Sequence, residues 1–392
     1  MAEEPIYLDN NATTPVDPRV LDAMLPYLRD AFGNASSRSH AFGWRAAEAV
    51  ELARASVAKA LGAAAREILF VSGATEANNL AILGLAAAAS ASAGRAGRAR
   101  DHIVTQATEH HAVLDPCEHL AKRGFELTVL RPDREGRVRV EDVEAALTDR
   151  TLLVTVMAAN NETGTLQPIA EIGALLRDTP VVFHTDAAQA AGKIPLDVYA
   201  LGADLLSISA HKFYGPKGVG ALYAKRGSPK LKLAPIQFGG GHESGLRPGT
   251  LNVPGIVGLA EALRIATAEL EREASRLRRL RDRLEAHLLS RLDGVRVNGH
   301  RAHRLPGTLN VSFAGVDGTA LIPSLPGLAV SSGSACSSGN QEGSHVLKAM
   351  GVSESLALAT LRFGLGRFTT EEEVDRAADQ VVEAVEALRA RN

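Results

Sequence analysis

The chain has 392 residues and a mass of 41.3 kDa, which excludes a peptide module and corresponds to two or three domains at about 150 residues each. Hydrophobic residues make up 45% and charged residues 22%, a globular balance that excludes disordered and collagen-like chains. Lys plus Arg (43) against Asp plus Glu (45) leaves a net charge of -2, so no global field draws nucleic acid or an anionic membrane, and neither is expected as a partner.

The opening Met-Ala-Glu-Glu-Pro carries acid where an export signal needs base, which predicts an unexported, cytoplasmic protein. Strand-like runs then alternate with helical stretches: Ile68 to Val71, His102 to Thr105, Leu127 to Leu130, Leu152 to Ala158, Val181 to Thr185, Asp204 to Ser209 and Gly220 to Ala224. Helical patterns between them include Trp44 to Leu61 and Ile169 to Arg177. This βαβ rhythm predicts an α/β fold with a mostly parallel sheet, whose ligands sit beyond the carboxyl ends of the strands. The longest apolar run, Leu80 to Ala89, is half of the ~20 residues that span a bilayer and reads as a buried helix. The alanine-rich piece Ala86 to Arg100, with Arg95 and Arg98, reads as a helix end and a solvated loop. Gln237 to Gly249 is rich in glycine and reads as a loop, and one long charged helix is expected over Ile256 to Leu292. Strand-like Leu309 to Phe313, a Gly/Ser-rich stretch Ser331 to Gly343 and strand-like Leu361 to Leu365 lead to a closing helix. Thr370 and Glu373 stand at capping-box spacing at its start. The expected division is a large domain over 1–264, with the amino-terminal residues able to pack on its neighbour, and a smaller α+β domain over 265–392.

Three segments carry chemistry, each after an expected strand. Lys212 follows an apolar run and enters a glycine-rich turn, where a lysine freed of its proton can form an imine. Asp186 and Gln189 close another apolar strand, and a carboxylate there wants a cation, such as a protonated pyridine nitrogen, or a helix N-cap to serve. Ser72-Gly-Ala-Thr-Glu opens a helix, where unpaired N–H groups and the Thr75 hydroxyl suit a phosphate or simply a cap. The dinucleotide and P-loop spacings are missing. Of the two cysteines, Cys117 reads as a core residue in a helix after His110. Cys336 sits among serines and glycines, which predicts an exposed and mobile loop whose motion would let one sulfur visit two places. Glu109-His110-His111 with His119 lacks further ligand spacing, and no metal is expected.

These parts, with Tyr7-Leu-Asp-Asn-Asn-Ala-Thr-Thr-Pro, Thr108-Glu-His-His, Asn160-Asn-Glu-Thr-Gly, Arg247-Pro-Gly-Thr and Ser331-Ser-Gly-Ser-Ala-Cys, make the chain resemble the class V aminotransferase group of fold-type I pyridoxal phosphate enzymes. More narrowly, it resembles the cysteine desulfurases of nitrogenase and iron-sulfur cluster systems. That resemblance implies a fold-type I transferase with a seven-stranded type of sheet, pyridoxal 5'-phosphate as cofactor, L-cysteine as substrate and a homodimer. It implies Lys212 as the Schiff-base lysine, Asp186 on the pyridinium nitrogen, Gln189 on the phenolic oxygen and His110 over the ring as a stacking group and acid/base. Ala74, Thr75, Ser209 and His211 would hold the phosphate, and Thr250 would reach the phosphate of the other subunit. Asn34, Asn161 and Arg362 would meet the substrate, Arg362 at its carboxylate. Cys336 would take the sulfur as a persulfide and pass it to an acceptor protein, an iron-sulfur scaffold or thiolation carrier. Selenocysteine lyase and aminotransferase are the rival activities on the same fold. Two departures from the family pattern are Gly364, where serine is usual, and Ala35, where proline is.

Overall fold

The computed structural model of the chain describes residues 4–96, 100–332 and 343–391; Cys336 and Arg98 lie outside them. In chain order its strands are β1 (Ile6–Tyr7), β2 (Ile68–Val71), β3 (His102–Gln106), β4 (Glu126–Leu130), β5 (Thr151–Thr155), β6 (Val182–Asp186), β7 (Leu205–Ser209), β8 (Gly220–Ala224), β9 (Val295–Asn298), β10 (Thr308–Phe313), β11 (Leu328–Ala329) and β12 (Thr360–Gly364).

Seven strands form one sheet in the order β2-β8-β7-β6-β5-β3-β4, parallel except for β8, which is antiparallel to both neighbours. The α/β expectation therefore holds, and its physical cause is visible in the burial. Every residue of β3, β5, β6 and β7 is buried, as a sheet covered on both faces requires. Successive residues feed opposite faces: Val182 and Leu205 join a core with Leu80 and Val113, while Phe183 and Leu206 join one with Val50 and Ile256. The histidine inside β6 is paired. His184 bonds Thr155 at 2.8 Å and Ser207 at 3.0 Å across the neighbouring strands, and burial pushes its pKa down to about 3, so the ring is neutral.

The expected long helix is two helices, Val253–Ala268 and Leu270–Arg291. Glu269 breaks it with backbone angles of φ -100° and ψ 4°, and its carboxylate there takes Arg19 at 2.8 Å and Arg272 at 3.2 Å. Apolar periodicity cannot register a break made by such pairing at a single polar position. The first helix packs its Leu263, Ile265 and Ala266 into the core of the large sheet. The second sends Leu277, Leu280, Leu284 and Leu288 into a separate core under the antiparallel sheet β12-β10-β9. The closing helix, Glu371–Arg389, starts in the capping box of Thr370 and Glu373 and buries Val374, Ala378, Val381 and Val385 against that second core.

The amino-terminal segment crosses between the cores. β1 pairs with β11, Asp9 bridges Gly364, and Leu8 is buried in the second core. The departure at Gly364 follows from this crossing: a Cβ there would come within 2.7 Å of the Asn11 backbone nitrogen and 3.0 Å of that of Asn10. Among the described residues no helix is long and apolar enough to cross a membrane.

Candidate active site

A cavity of about 560 Å³ opens beyond the carboxyl ends of the parallel strands, where a sheet of this kind leaves its crevice. The turn after β2 and the first turn of the helix Ala74–Ala96 line one side, bringing Ala74 and Thr75 to it. The turn is pressed against the sheet, because a Cβ on Gly220 of β8 would meet the Gly73 Cα at 2.7 Å. A helix leaves its first amides without intrahelical partners and adds its dipole, so this corner with Ser209 and His211 favours an anion. Glu76 lies in the same turn and is already engaged. Burial alone would raise its pKa, but hydrogen bonds from Arg247 at 2.9 Å and the Ser72 amide at 2.7 Å hold it below the usual carboxylate range.

Asp186 ends β6 and is 5% exposed. Its two oxygens accept from Asn78 Nδ2 at 2.7 Å and from the Ala188 amide at 2.9 Å, both neutral donors. Asp186 makes no ion pair among the described residues, and Asn78 Oδ1 beside it is buried without a partner. A buried carboxylate needs a cation to offset its desolvation, and a protonated pyridine ring in the cavity is one of the right size.

Lys212 leaves β7 in the short turn Ala210–Lys212. Its Nζ donates to the backbone carbonyls of Asn11 and Ala12, each at 2.7 Å. His211 bonds Thr13 Oγ1 at 3.1 Å, and burial, with the charges of Lys212 and Lys217, lowers its pKa to about 4. It meets an anion as a neutral ring.

His110 caps the helix His111–Ala121 through its own ring, Nδ1 accepting the Ala112 amide at 3.0 Å. That bond makes Nδ1 an acceptor and leaves Nε2 as the nitrogen that exchanges a proton with anything in the cavity. Behind it Glu109 is fully buried, and burial pushes its pKa up to about 8 despite hydrogen bonds from the Met157 amide and Gln106. Cys117, in the same helix, is 1% exposed with its thiol pushed up to about 12, the inert core cysteine the sequence predicts.

Arg362 reaches the cavity from β12 and is 2% exposed. Nη2 donates to Asp9 at 2.7 Å and Ser331 Oγ at 3.1 Å, and Nη1 to the Asn161 carbonyl at 3.1 Å. Nε is buried with no partner, so the guanidinium is both braced and short of one acceptor. Close to either end of residues 333–342, Ser331 is tied to Arg362, and Ser344 donates to Glu162, next to Asn161 in the chain.

The structure thus brings Ala74, Thr75, His110, Asn161, Asp186 and Gln189 together with Ser209, His211, Lys212 and Arg362 around one cavity. Asn34 and Thr250 do not line it; both are exposed. Cys336 lies outside the described residues. Sequence reasoning assigned no role to Asn11, Asn78, Glu109 or Lys217; the Asn-Asn of the opening motif was the one signal pointing to Asn11.

An anion seat, a carboxylate awaiting a ring cation and a lysine at the strand end define a fold-type I pyridoxal phosphate enzyme. Comparison with known proteins narrows this. The family model for class-V aminotransferases matches residues 6–377, and the chain belongs to that family. A protein named cysteine desulfurase IscS from Anaeromyxobacter dehalogenans is 57% identical over 385 residues, covering 98% of this chain and 93% of that one. Among solved structures, one titled NifS-like protein superimposes with a TM-score of 0.89 at 39% identity, over 98% of this chain and 100% of the other. One titled SspA in complex with cysteine does so with a TM-score of 0.81 at 38% identity, over 93% and 99%.

Proposed function

We propose that the protein is a cysteine desulfurase that uses pyridoxal 5'-phosphate to take sulfur from L-cysteine, releases L-alanine and holds the sulfur on Cys336 as a persulfide. The observation that carries this is the convergence of Asp186 and Lys212, from the ends of the neighbouring strands β6 and β7, and of Arg362, from β12 of the other sheet, on one cavity. The bound cofactor supplies an electron sink for charge that develops on the substrate carbon. Lys212 holds it covalently, and the carbonyls of Asn11 and Ala12 keep that amine in place until it reacts. Asp186 pairs the ring nitrogen and keeps it protonated, and the first turn of the helix Ala74–Ala96 with Ser209 and His211 holds the phosphate. Gln189 donates to the phenolic oxygen.

Arg362 binds the substrate carboxylate through donors that Asp9 does not use, a charge-assisted contact worth ~1.5 to 3 kcal/mol that orients the substrate. Lys212 and His110 Nε2 would be the groups that move protons on and off the substrate. The Cys336 thiolate attacks the substrate sulfur. The carbon–sulfur bond breaks with its electron pair left on carbon, which takes a proton to become the methyl group of alanine, while a sulfur–sulfur bond forms on Cys336. The bond of Ser331 to Arg362, and of Ser344 to Glu162 beside Asn161, supports this role.

Asn34 and Thr250 fit a homodimer in which each completes the partner's site. Phe32, two residues before Asn34, and Phe42 are 68% and 47% exposed with their rings 5.5 Å apart, and exposed large apolar groups side by side mark a contact surface. The two separate cores support a division into two domains, with the change falling between Ala266 and Leu277. The sulfur acceptor is a protein, a scaffold for iron-sulfur clusters or a thiolation carrier, and the setting is the cytoplasm. The test is alanine formation from cysteine together with mass measurement of a 32 Da adduct on Cys336, where 32 is the approximate mass of one sulfur atom; alanine without the adduct, or no alanine, overturns the reading. Parallel assays with selenocysteine separate a lyase, which tolerates Cys336→Ala.

A further inference from the structure

Lys193 has no part in the chemistry above, yet it is wired to it. It lies four residues beyond Gln189, and its Nζ donates to Gln189 Oε1 at 2.8 Å. Gln189 is 4% exposed and donates through Nε2 to the Asn11 carbonyl at 2.9 Å. That same carbonyl takes Lys212 Nζ at 2.7 Å. An amide side chain can usually be turned over with little change in its bonding. Here it cannot: an ammonium only donates and a carbonyl only accepts, so the two partners decide which end is oxygen and which nitrogen. One N–H of Nε2 goes to Asn11, and the other remains for the cavity that Gln189 lines.

The charge on Lys193 is costly where it stands. Its exposed surface borders a small cavity of about 30 Å³ that Glu273 and Arg367 also line, and those two face each other at 3.8 Å. Burial, with the charges of Lys212 and Arg362 adding to it, brings the Lys193 pKa down to about 7. No carboxylate pairs with it among the described residues, so its specific bond is the one to Gln189. A methionine would fill the same space without the desolvation cost, and packing therefore does not account for an amine here.

We infer that Lys193 is a positioning residue for the cofactor: it locks the Gln189 amide with its N–H edge toward the cavity, so that Gln189 donates to the phenolic oxygen. The inference rests on the role given to Gln189 above. A donor on the phenolic oxygen stabilises its ionised form and lowers the pH at which the visible band of the bound cofactor titrates. Without Lys193 the Asn11 carbonyl alone orients the amide, its oxygen loses the cation that holds it away from the cavity, and that midpoint rises.

The experiment compares the full-length protein with Lys193→Met, Lys193→Gln, Gln189→Leu and the double variant Lys193→Met/Gln189→Leu. Each is loaded with pyridoxal 5'-phosphate and read by absorbance titration and by the dissociation constant of the cofactor. Lys193→Met is expected to raise the midpoint by about one pH unit and to weaken cofactor binding about tenfold. Lys193→Gln, a polar replacement that guards against a folding defect, shifts both in the same direction by less. In the Gln189→Leu background Lys193→Met adds nothing, since the effect passes through the amide. A Lys193→Met protein that titrates and binds like the parent overturns the proposal, as does a shift that persists undiminished without Gln189. Gln189→Leu separates the two layers: a shift there with none in Lys193→Met removes Lys193 alone, and none in either removes Gln189 from the cofactor as well.

Discussion

The two larger sheets of the molecule use their strands in opposite ways. In the seven-stranded, mostly parallel sheet the inner strands are buried throughout, and the chemistry stands at or just beyond strand ends: Thr75 after β2, Asp186 closing β6, Lys212 after β7. In the three-stranded antiparallel sheet the contribution is a side chain from the middle of β12, where Arg362 lies opposite Asn310 of β10. Parallel strands leave a crevice at their carboxyl ends whose turns can be rebuilt without disturbing the core. Antiparallel strands offer only a face, and a residue on it is held by the register of its neighbours. The groups proposed to hold the cofactor are thus set by local turns, whereas Arg362, proposed to bind the substrate, is set by how one sheet sits against the other. Residues 9–12 link the two, with Asp9 on Arg362, Asn11 on both Thr308 Oγ1 at 3.0 Å and the Asn161 carbonyl at 3.2 Å, and two carbonyls on Lys212.

The comparison can be broken most sharply at the turn after β7. Lys212→Ala is expected to abolish the visible absorption of the bound cofactor and to lower alanine formation by about 10⁴-fold, as loss of a covalent catalyst does; the fold, measured by circular dichroism, should be unchanged. At the end of β6, Asp186→Asn keeps the shape but loses the charge. A fall in kcat of about 10³-fold with the cofactor still bound is expected, and an unchanged kcat would remove Asp186 from the ring. On the other sheet, Arg362→Lys keeps a cation but loses the planar fork. KM for cysteine should rise about 10- to 100-fold, with a smaller effect on kcat, because the contact orients the substrate before any bond breaks.

The remaining expected effect is on stability and concerns Glu109, buried behind His110 just after β3. Its pKa is raised from 4.5 to about 8 by burial. Between those values the unfolded chain has released its proton and the folded chain has not, so the group's contribution to stability falls as pH rises from about 4.5 to about 8 and falls no further above. Glu109→Gln cannot ionise. Its melting temperature should match the parent near pH 4.5 and exceed it clearly at pH 8, since a shift from 4.5 to about 8 corresponds to a gain of order 4 to 5 kcal/mol; equal melting curves at both pH values would show that Glu109 is ionised in the folded state.

The order of the seven strands of the main sheet, its mostly parallel character, the closing capping box and the strand-end positions of Lys212, Asp186 and Thr75 were legible in the chain itself, whereas β1, β9, β11 and the break in the long helix were not. Each of the legible features is a local property: apolar periodicity, a cap at fixed spacing, a polar residue at the end of an apolar run. Contacts between distant residues were not. Arg362 and Asp9 are 353 residues apart in sequence, Asn78 and Asp186 are 108 apart, and the break at Glu269 is stabilised by Arg19, 250 residues away. No periodicity encodes such pairs, because a hydrogen bond across the fold depends on which surfaces meet and not on the order of residues along the chain. The amine of Lys193 shows the same limit at short range. Four residues separate it from Gln189, but its meaning comes from the burial and the neighbouring charges that only the packed molecule supplies.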